Sequence, residues 1–440
     1  MHFLELGLAW QYRLRLTPFE LSLSSLGSRS GAGNQFSDTL SVSPNWELIM
    51  KLDGIKVLDL SLFLPGPACT LMMGDHGAEI IKIENPKIPE PTRSTQFYPW
   101  EQGDSTVMFR TTHRGKKGLT LNLKDPAAKE ILLKLVKEAD VFVEAFRPGV
   151  MKRLGIDYDT VRAVNPGIVY CSISAFGQYG EWLNRPAHDT ATVAAAGILG
   201  LSRSPEGDSG PAILGVAIAD LLSSHLAFSG IMMALFRRHE TGLGDYIDIS
   251  MFDSVLNASP NILGPVFGGK QAPDRLNERT HGGNAMLNIY ELKDGTHIAL
   301  GGGEEKFTAE LFNGLGRPEF IKPVSGPSGS GHKAATAFLR IEFRKKTRAE
   351  WEVWMEGRDI CWMPVMELDE AWDSKHVWDR EMRVRDPSGN DHVGIPIKFK
   401  NEPGRINFSL HGLSEHSREI LGNIGYSETE IDELKASGAI

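Results

Sequence analysis

From Leu52 onward, short apolar runs alternate with helical stretches, and this alternation constrains the fold more than any other feature of the chain. Residues 54–61 (GIKVLDLS) form an apolar strand pattern, residues 64–67 (LPGP) a turn, residues 68–77 a helix, and residues 79–84 (EIIKIE) a second strand. The unit repeats with a strand at 119–123, a helix over 125–139 and a strand at 141–144, with Asp125 as N-cap and Pro126 at the first helical position. A further strand covers 168–173, a long helical stretch 213–239, and another strand 246–250. Continuously apolar strands separated by helices predict a doubly wound α/β domain with a parallel sheet. The first strand–helix turn lacks a GxGxxG pattern, so a nicotinamide or flavin cofactor is not expected.

A second region begins near Arg279, with strands at 286–292 and 297–300 joined by the turn Lys293-Asp294-Gly295. Gly301, Gly302 and Gly303 follow, then Glu304 and a helix reaching Leu315. The run SGPSGSG at 325–331 lacks the Gly-Lys-Ser/Thr ending of a phosphate loop and reads as a plain loop. An extended piece at 393–399 and a last helix after Ser414 close the chain. These patterns divide it into an extension (1–50), a large domain (51–250), a small α+β domain with linkers (251–375) and a C-terminal return to the large domain (376–440).

The 440 residues carry a net charge of -9, with no basic stripe of the kind that binds nucleic acid. Three widely spaced cysteines, Cys69, Cys171 and Cys361, exclude a cysteine-based zinc site and fit a reducing, cytoplasmic setting. Asp220, Ser223, Ser224 and His225 interrupt the apolar stretch 213–235, which reads as a buried helix and not as a membrane span. In the first 50 residues Glu5, Gln11, Arg13 and Arg15 break any secretory h-region. That segment reads as a disordered extension or as sequence preceding a start at Met50; its Arg and Ser content is also that of a transit peptide.

Three acid or base groups stand where core-like segments meet loops. His188 and Asp189 open an Ala-rich helix, Asp189 being most simply a helix cap. Asp220 is the one acidic residue inside the run 213–236, where an unpaired buried carboxylate would be costly. Glu304 follows the three glycines and can equally neighbour a helix N-cap.

The segments at 54–86 (GIKVLDLSLFLPGPACTLMMGDHGAEIIKIENP), 114–156, 165–189 (NPGIVYCSISAFGQYGEWLNRPAHD), 215–256 and 414–431 together resemble the family III CoA-transferase superfamily, the CaiB/BaiF group. The resemblance implies a Rossmann-like large domain and a smaller domain in an interlocked homodimer, with coenzyme A as substrate moiety and no tightly bound cofactor. Partners are then an acyl-CoA and a small carboxylate. Asp220, in VAIADLLSS, matches the family's catalytic aspartate, which attacks an acyl-CoA thioester in the transferase branch. In the α-methylacyl-CoA racemase branch, His188 and Asp220 match two acid/bases and Glu304 a glutamate beside the histidine. Here the AGHD-type motif reads Pro186-Ala187-His188-Asp189, with alanine in place of its glycine. Gly301, Gly302 and Gly303 could supply oxyanion donors. Arg114, Lys116 and Lys117, in a Gly-containing basic loop, and Arg147, at a matching family position, are the expected CoA contacts. Gly282 to Met286 departs from racemase patterns, so CoA transfer is the favoured reading. Racemisation by His188 and Asp220 is the alternative, and a non-catalytic CoA-binding scaffold, which would lack those residues, a third.

Overall fold

A computed structural model describes residues 49–202, 210–274, 277–279 and 281–440. The extension read over 1–50 lies, up to residue 48, outside them. The large domain is built on six strands. In chain order its elements are β1 (Lys56–Asp59), α1 (Pro65–Gly74), β2 (Glu79–Glu84), α2 (Val107–His113), β3 (Lys117–Thr120), α3 (Pro126–Val136), β4 (Val141–Glu144), β5 (Val169–Ser174), α4 (Asp189–Ala195), α5 (Ile218–Thr241) and β6 (Tyr246–Ser250). The strand order is β3-β2-β1-β4-β5-β6, and every neighbouring pair is parallel. The order reverses between β1 and β4. In open parallel sheets the crevice outside the C-terminal strand ends at such a reversal receives the ligand.

Side chains of alternating residues separate onto the two faces of the sheet. Val57, Val141, Val143, Val169 and Cys171 pack against α1 and α5, while Leu58, Phe142 and Tyr170 pack against α3 and the C-terminal helices. Helix α3 begins as its sequence dictates: the Asp125 carboxylate accepts the Ala127 N–H at 2.8 Å and Pro126 takes the first position. Helix α1 starts earlier than the LPGP turn predicts. Pro65 occupies its first turn, where the missing N–H costs nothing, so the apparent turn is the helix start.

The small domain is an antiparallel sheet in the order β9-β8-β7, formed by β7 (Leu287–Glu291), β8 (His297–Gly301) and β9 (Trp362–Pro364). Helices α6 (Glu305–Gly314), α7 (Ser330–Phe343) and α8 (Arg348–Met355) enclose its own core around Tyr290, Phe312, Phe343 and Trp351. The chain then returns to the large domain through α9 (Ser417–Asn423) and α10 (Glu428–Ser437). Ile420, Leu421, Ile431 and Ala439 join the core beside α3, and Asn122 N–H donates to the Ala439 carbonyl at 2.8 Å.

Helix α5 departs from the buried helix expected of its sequence. Ala219, Ser223, Ala227 and Ile231, spaced four apart, form a narrow buried stripe, while Met233 and Phe236 are 67% and 77% exposed. By length and composition alone this helix is apolar enough to cross a membrane. Within one chain only one of its sides is covered.

Candidate active site

The loops after β1 and β2, the start of α4 and the start of α5 meet at one end of the sheet. His188 is the N-cap residue of α4, with extended backbone and no cap bond from its side chain. Asp189 does not cap α4. Its Oδ1 instead accepts the N–H groups of Ala219 at 2.6 Å and Asp220 at 3.3 Å, thereby capping α5. The free donors and positive end of a long helix favour such a carboxylate. A single side chain thus joins the histidine segment to the aspartate segment.

Asp220 sits in the first turn of α5, half-buried. Burial first, and the Asp189 charge second, push its carboxyl up to about 7. A carboxylate that is desolvated and beside a like charge is poised for chemistry near neutral pH. The Tyr98 phenol, raised by burial and by the charges of Asp220 and Glu90, shares this neighbourhood.

Sequence reasoning missed Phe63. This residue has φ of 62°, in the left-handed region that bulky side chains rarely adopt. Its N–H donates to the Glu90 carboxylate at 3.1 Å, and Glu90 is itself buried 3.7 Å from Lys82. The Phe63 ring meets His188 edge-on, with centroids 5.6 Å apart. The clamp is invisible in sequence because Phe63 and Glu90 lie 27 positions apart.

Within the chain, the basic run is engaged by protein partners. Lys116 is buried, and its ammonium donates to Asp59 at 3.0 Å, the Pro67 carbonyl at 2.9 Å and Thr70 at 2.8 Å, which uses its three donors. Arg114 is buried and donates to Asp75 at 2.7 Å. Lys117 bridges Glu79 at 2.8 Å and Glu419 at 2.7 Å. The bonds of Lys116 hold β3 against the β1–α1 connection, while Arg114 keeps Nε and Nη1 without a partner among the described residues.

Arg147 is exposed and lines a cavity of about 310 Å³ with Lys152, Tyr158, Gln178 and Tyr246. Glu144 lies in the same wall, where burial and the Asp248 charge raise it to about 7 despite its bonds from the Ser172 hydroxyl and the Phe146 N–H.

Glu304 is the exposed N-cap residue of α6. It borders a second cavity, also about 310 Å³, in the small domain together with Gly303. Among the described residues no hydrogen bond or ion pair joins Glu304 to His188 or Asp220, so the orienting contact expected of it is not made within one chain. Gly301 N–H is already taken by the Cys361 carbonyl at 2.9 Å, leaving Gly302 and Gly303 as the candidate oxyanion donors of this loop.

Comparison with known proteins identifies the family. The sequence model of CoA-transferase family III matches residues 52–416. The chain is 30% identical to mouse succinyl-CoA:glutarate CoA-transferase over 88% of its length and 90% of the relative's. It is 33% identical to acetyl-CoA:oxalate CoA-transferase of Acetobacter aceti, over 79% and 88%. Against human alpha-methylacyl-CoA racemase it is 29% identical over 89% and 98%. Among solved structures, a CAIB/BAIF family protein from Brucella suis superposes with a TM-score of 0.73 at 27% identity, covering 86% of this chain and all of that one (100%). Sequence, mixed α/β fold and relatives converge, and the chain is an enzyme belonging to CoA-transferase family III.

Proposed function

We propose that this enzyme transfers CoA from an acyl-CoA to a small carboxylate through a covalent intermediate on Asp220. The observation that carries the reading is the setting of Asp220: half-buried, on the first turn of a helix capped by Asp189, with its carboxyl raised to about 7. Desolvation makes such a carboxylate a better nucleophile than one in water. Its oxygen attacks the thioester carbonyl and expels CoA thiolate, leaving a mixed anhydride. The thiolate then attacks the aspartyl carbonyl, which releases the donor acid and forms an aspartyl-CoA thioester. An acceptor carboxylate reverses the sequence and leaves as its CoA thioester. Gly302 and Gly303 N–H groups would hold the transient oxyanion.

The cavity at Arg147 and Lys152 would receive one end of CoA, with Tyr158 and Tyr246 beside the base and the carboxylates Glu144, Asp157 and Asp159 also in its wall. A homodimer of Rossmann-like large domains and small domains completes the site. The uncovered apolar side of α5, with Met233 and Phe236, is the surface such an assembly would bury. The dimer would also bring Glu304 of one chain towards Asp220 of the other.

Racemisation is the second reading, favoured by the contact of Phe63 with His188 and by the racemase among the relatives. One assay separates the two: a 2-methylacyl-CoA in heavy water with a carboxylate acceptor present. CoA transfer lost in Asp220→Ala, without exchange at the α-carbon, is expected. Exchange lost in His188→Ala, without transfer, would replace transferase by racemase.

A further inference from the structure

Phe63 stands in the turn that joins β1 to α1, with its backbone where glycine or asparagine is the unstrained choice. The turn is tight: a Cβ at Gly66 would overlap the Ser61 side chain, so the chain folds back on itself only with glycine there. A bulky residue held in the left-handed region costs stability and persists only where its surroundings over-determine it.

Those surroundings are buried and charged. Lys82, fully buried, donates to the Ser61 carbonyl and lies 3.8 Å from Asp59 and 3.7 Å from Glu90. Glu90, 1% exposed, accepts the Phe63 N–H on its two oxygens at 3.1 and 3.3 Å. It also accepts the Thr92 N–H at 3.2 Å and the Thr92 hydroxyl at 3.0 Å, and its own N–H donates to Glu84 at 2.9 Å. Glu90 therefore fixes the Phe63 backbone, and Lys82 balances its charge from behind.

What the strain retains is a ring. The Phe63 phenyl and the His188 imidazole meet at 78°, the edge-to-face geometry that aromatic pairs prefer. Among the described residues the imidazole has no hydrogen bond or ion pair, so the Phe63 ring is the contact that orients it within the chain. The charges of Glu90 and Asp220 both reach Tyr98, which places the buried carboxylate close behind the site. We infer that Glu90 is a positioning residue: by holding Phe63 in its left-handed conformation it sets the His188 imidazole for the reaction, without touching substrate itself. Its effect on turnover rests on His188 serving the site, whichever of the two readings above holds.

The coupling can be read without a substrate. In full-length enzyme carrying isotope-labelled histidine, the NMR signal of the His188 imidazole is identified by its loss in His188→Ala. Phe63→Gly removes the ring and the strain together, which spares the fold, and it should displace that signal. Glu90→Gln sets an amide N–H against Lys82 or the Thr92 donors and should displace it as well. In the Phe63→Gly background Glu90→Gln should displace it no further. Turnover in the assay above should follow, with kcat falling about tenfold or more in each single variant and no further in the double variant. The KM for the acyl-CoA should stay within about twofold. Glu90→Asp, which keeps the charge and an acceptor, should restore part of both readouts, and it takes the place of Glu90→Gln if that variant does not fold. A His188 signal unmoved by Phe63→Gly, or effects of the two substitutions that simply add, would overturn the inference. A signal that follows both substitutions in an enzyme whose turnover survives His188→Ala would retain the clamp and remove His188 from the chemistry.

Discussion

Two groups of charged residues lie close together in the large domain and are treated in opposite ways. Behind the β1–α1 connection, Asp59 receives the Ser61 N–H at 3.0 Å, the Ser61 hydroxyl at 2.5 Å, the Thr70 hydroxyl at 2.6 Å and the Lys116 ammonium at 3.0 Å. Burial alone would raise this carboxyl, but Lys82, Lys116 and the two hydroxyls hold it well below its usual range. Asp220 has burial without a cation, and Asp189 adds a like charge. A charge surrounded by satisfied partners maintains the fold, whereas one left short of partners is available to react.

The sharpest way to break this comparison is Lys116→Met. Removing one partner of a buried ion pair should cost about 3–5 kcal/mol of stability, read by urea denaturation. Unchanged stability with a raised KM for CoA would return Lys116 to the phosphate role first expected of it.

Asp220→Asn should have the reverse sign. The folded carboxyl titrates near 7 against 3.8 unexposed to these influences, so the wild type carries a penalty that begins above pH 3.8 and is complete above 7. The variant should abolish transfer while raising the melting temperature by about 2 °C or more at pH 8, with a smaller gain at pH 5. A variant that melts lower at pH 8 would show that the Asp220 charge is compensated after all.

Lys117→Ala marks the small end of the scale. Its bridges to Glu79 and Glu419 are partly solvated, with the lysine side chain 34% exposed. The loss should be within about 1 kcal/mol, with no change in KM for CoA. A several-fold rise in that KM would make Lys117 a ligand contact.

The same contrast explains how much was legible in the sequence. Strands at 79–84, 141–144 and 246–250 were readable to the residue because apolar runs bounded by turns leave little freedom. Asp220 stood out because a carboxylate in an apolar run demands an explanation. The partners of Lys116 were not legible because a basic run has the same letters whether it faces phosphates or buried aspartates. Asp189 was recognisable as a cap, yet the helix it caps begins some 30 positions later.

The C-terminal return has a consequence for how the chain is made. Ile420, Leu421, Ile431 and Ala439 complete a core whose other members come from β1 to β5 and α3. Gly118 and His416, hydrogen-bonded through the Gly118 N–H at 3.1 Å, are separated by 298 positions. On the ribosome the apolar side of α3 must wait, uncovered, while the entire small domain is synthesised. At ~5–20 residues per second that interval lasts tens of seconds, long enough for chaperone capture or aggregation to compete with folding. Deleting the last turn of α10 should therefore lower the soluble yield in cells more than its small contact area would lead one to expect.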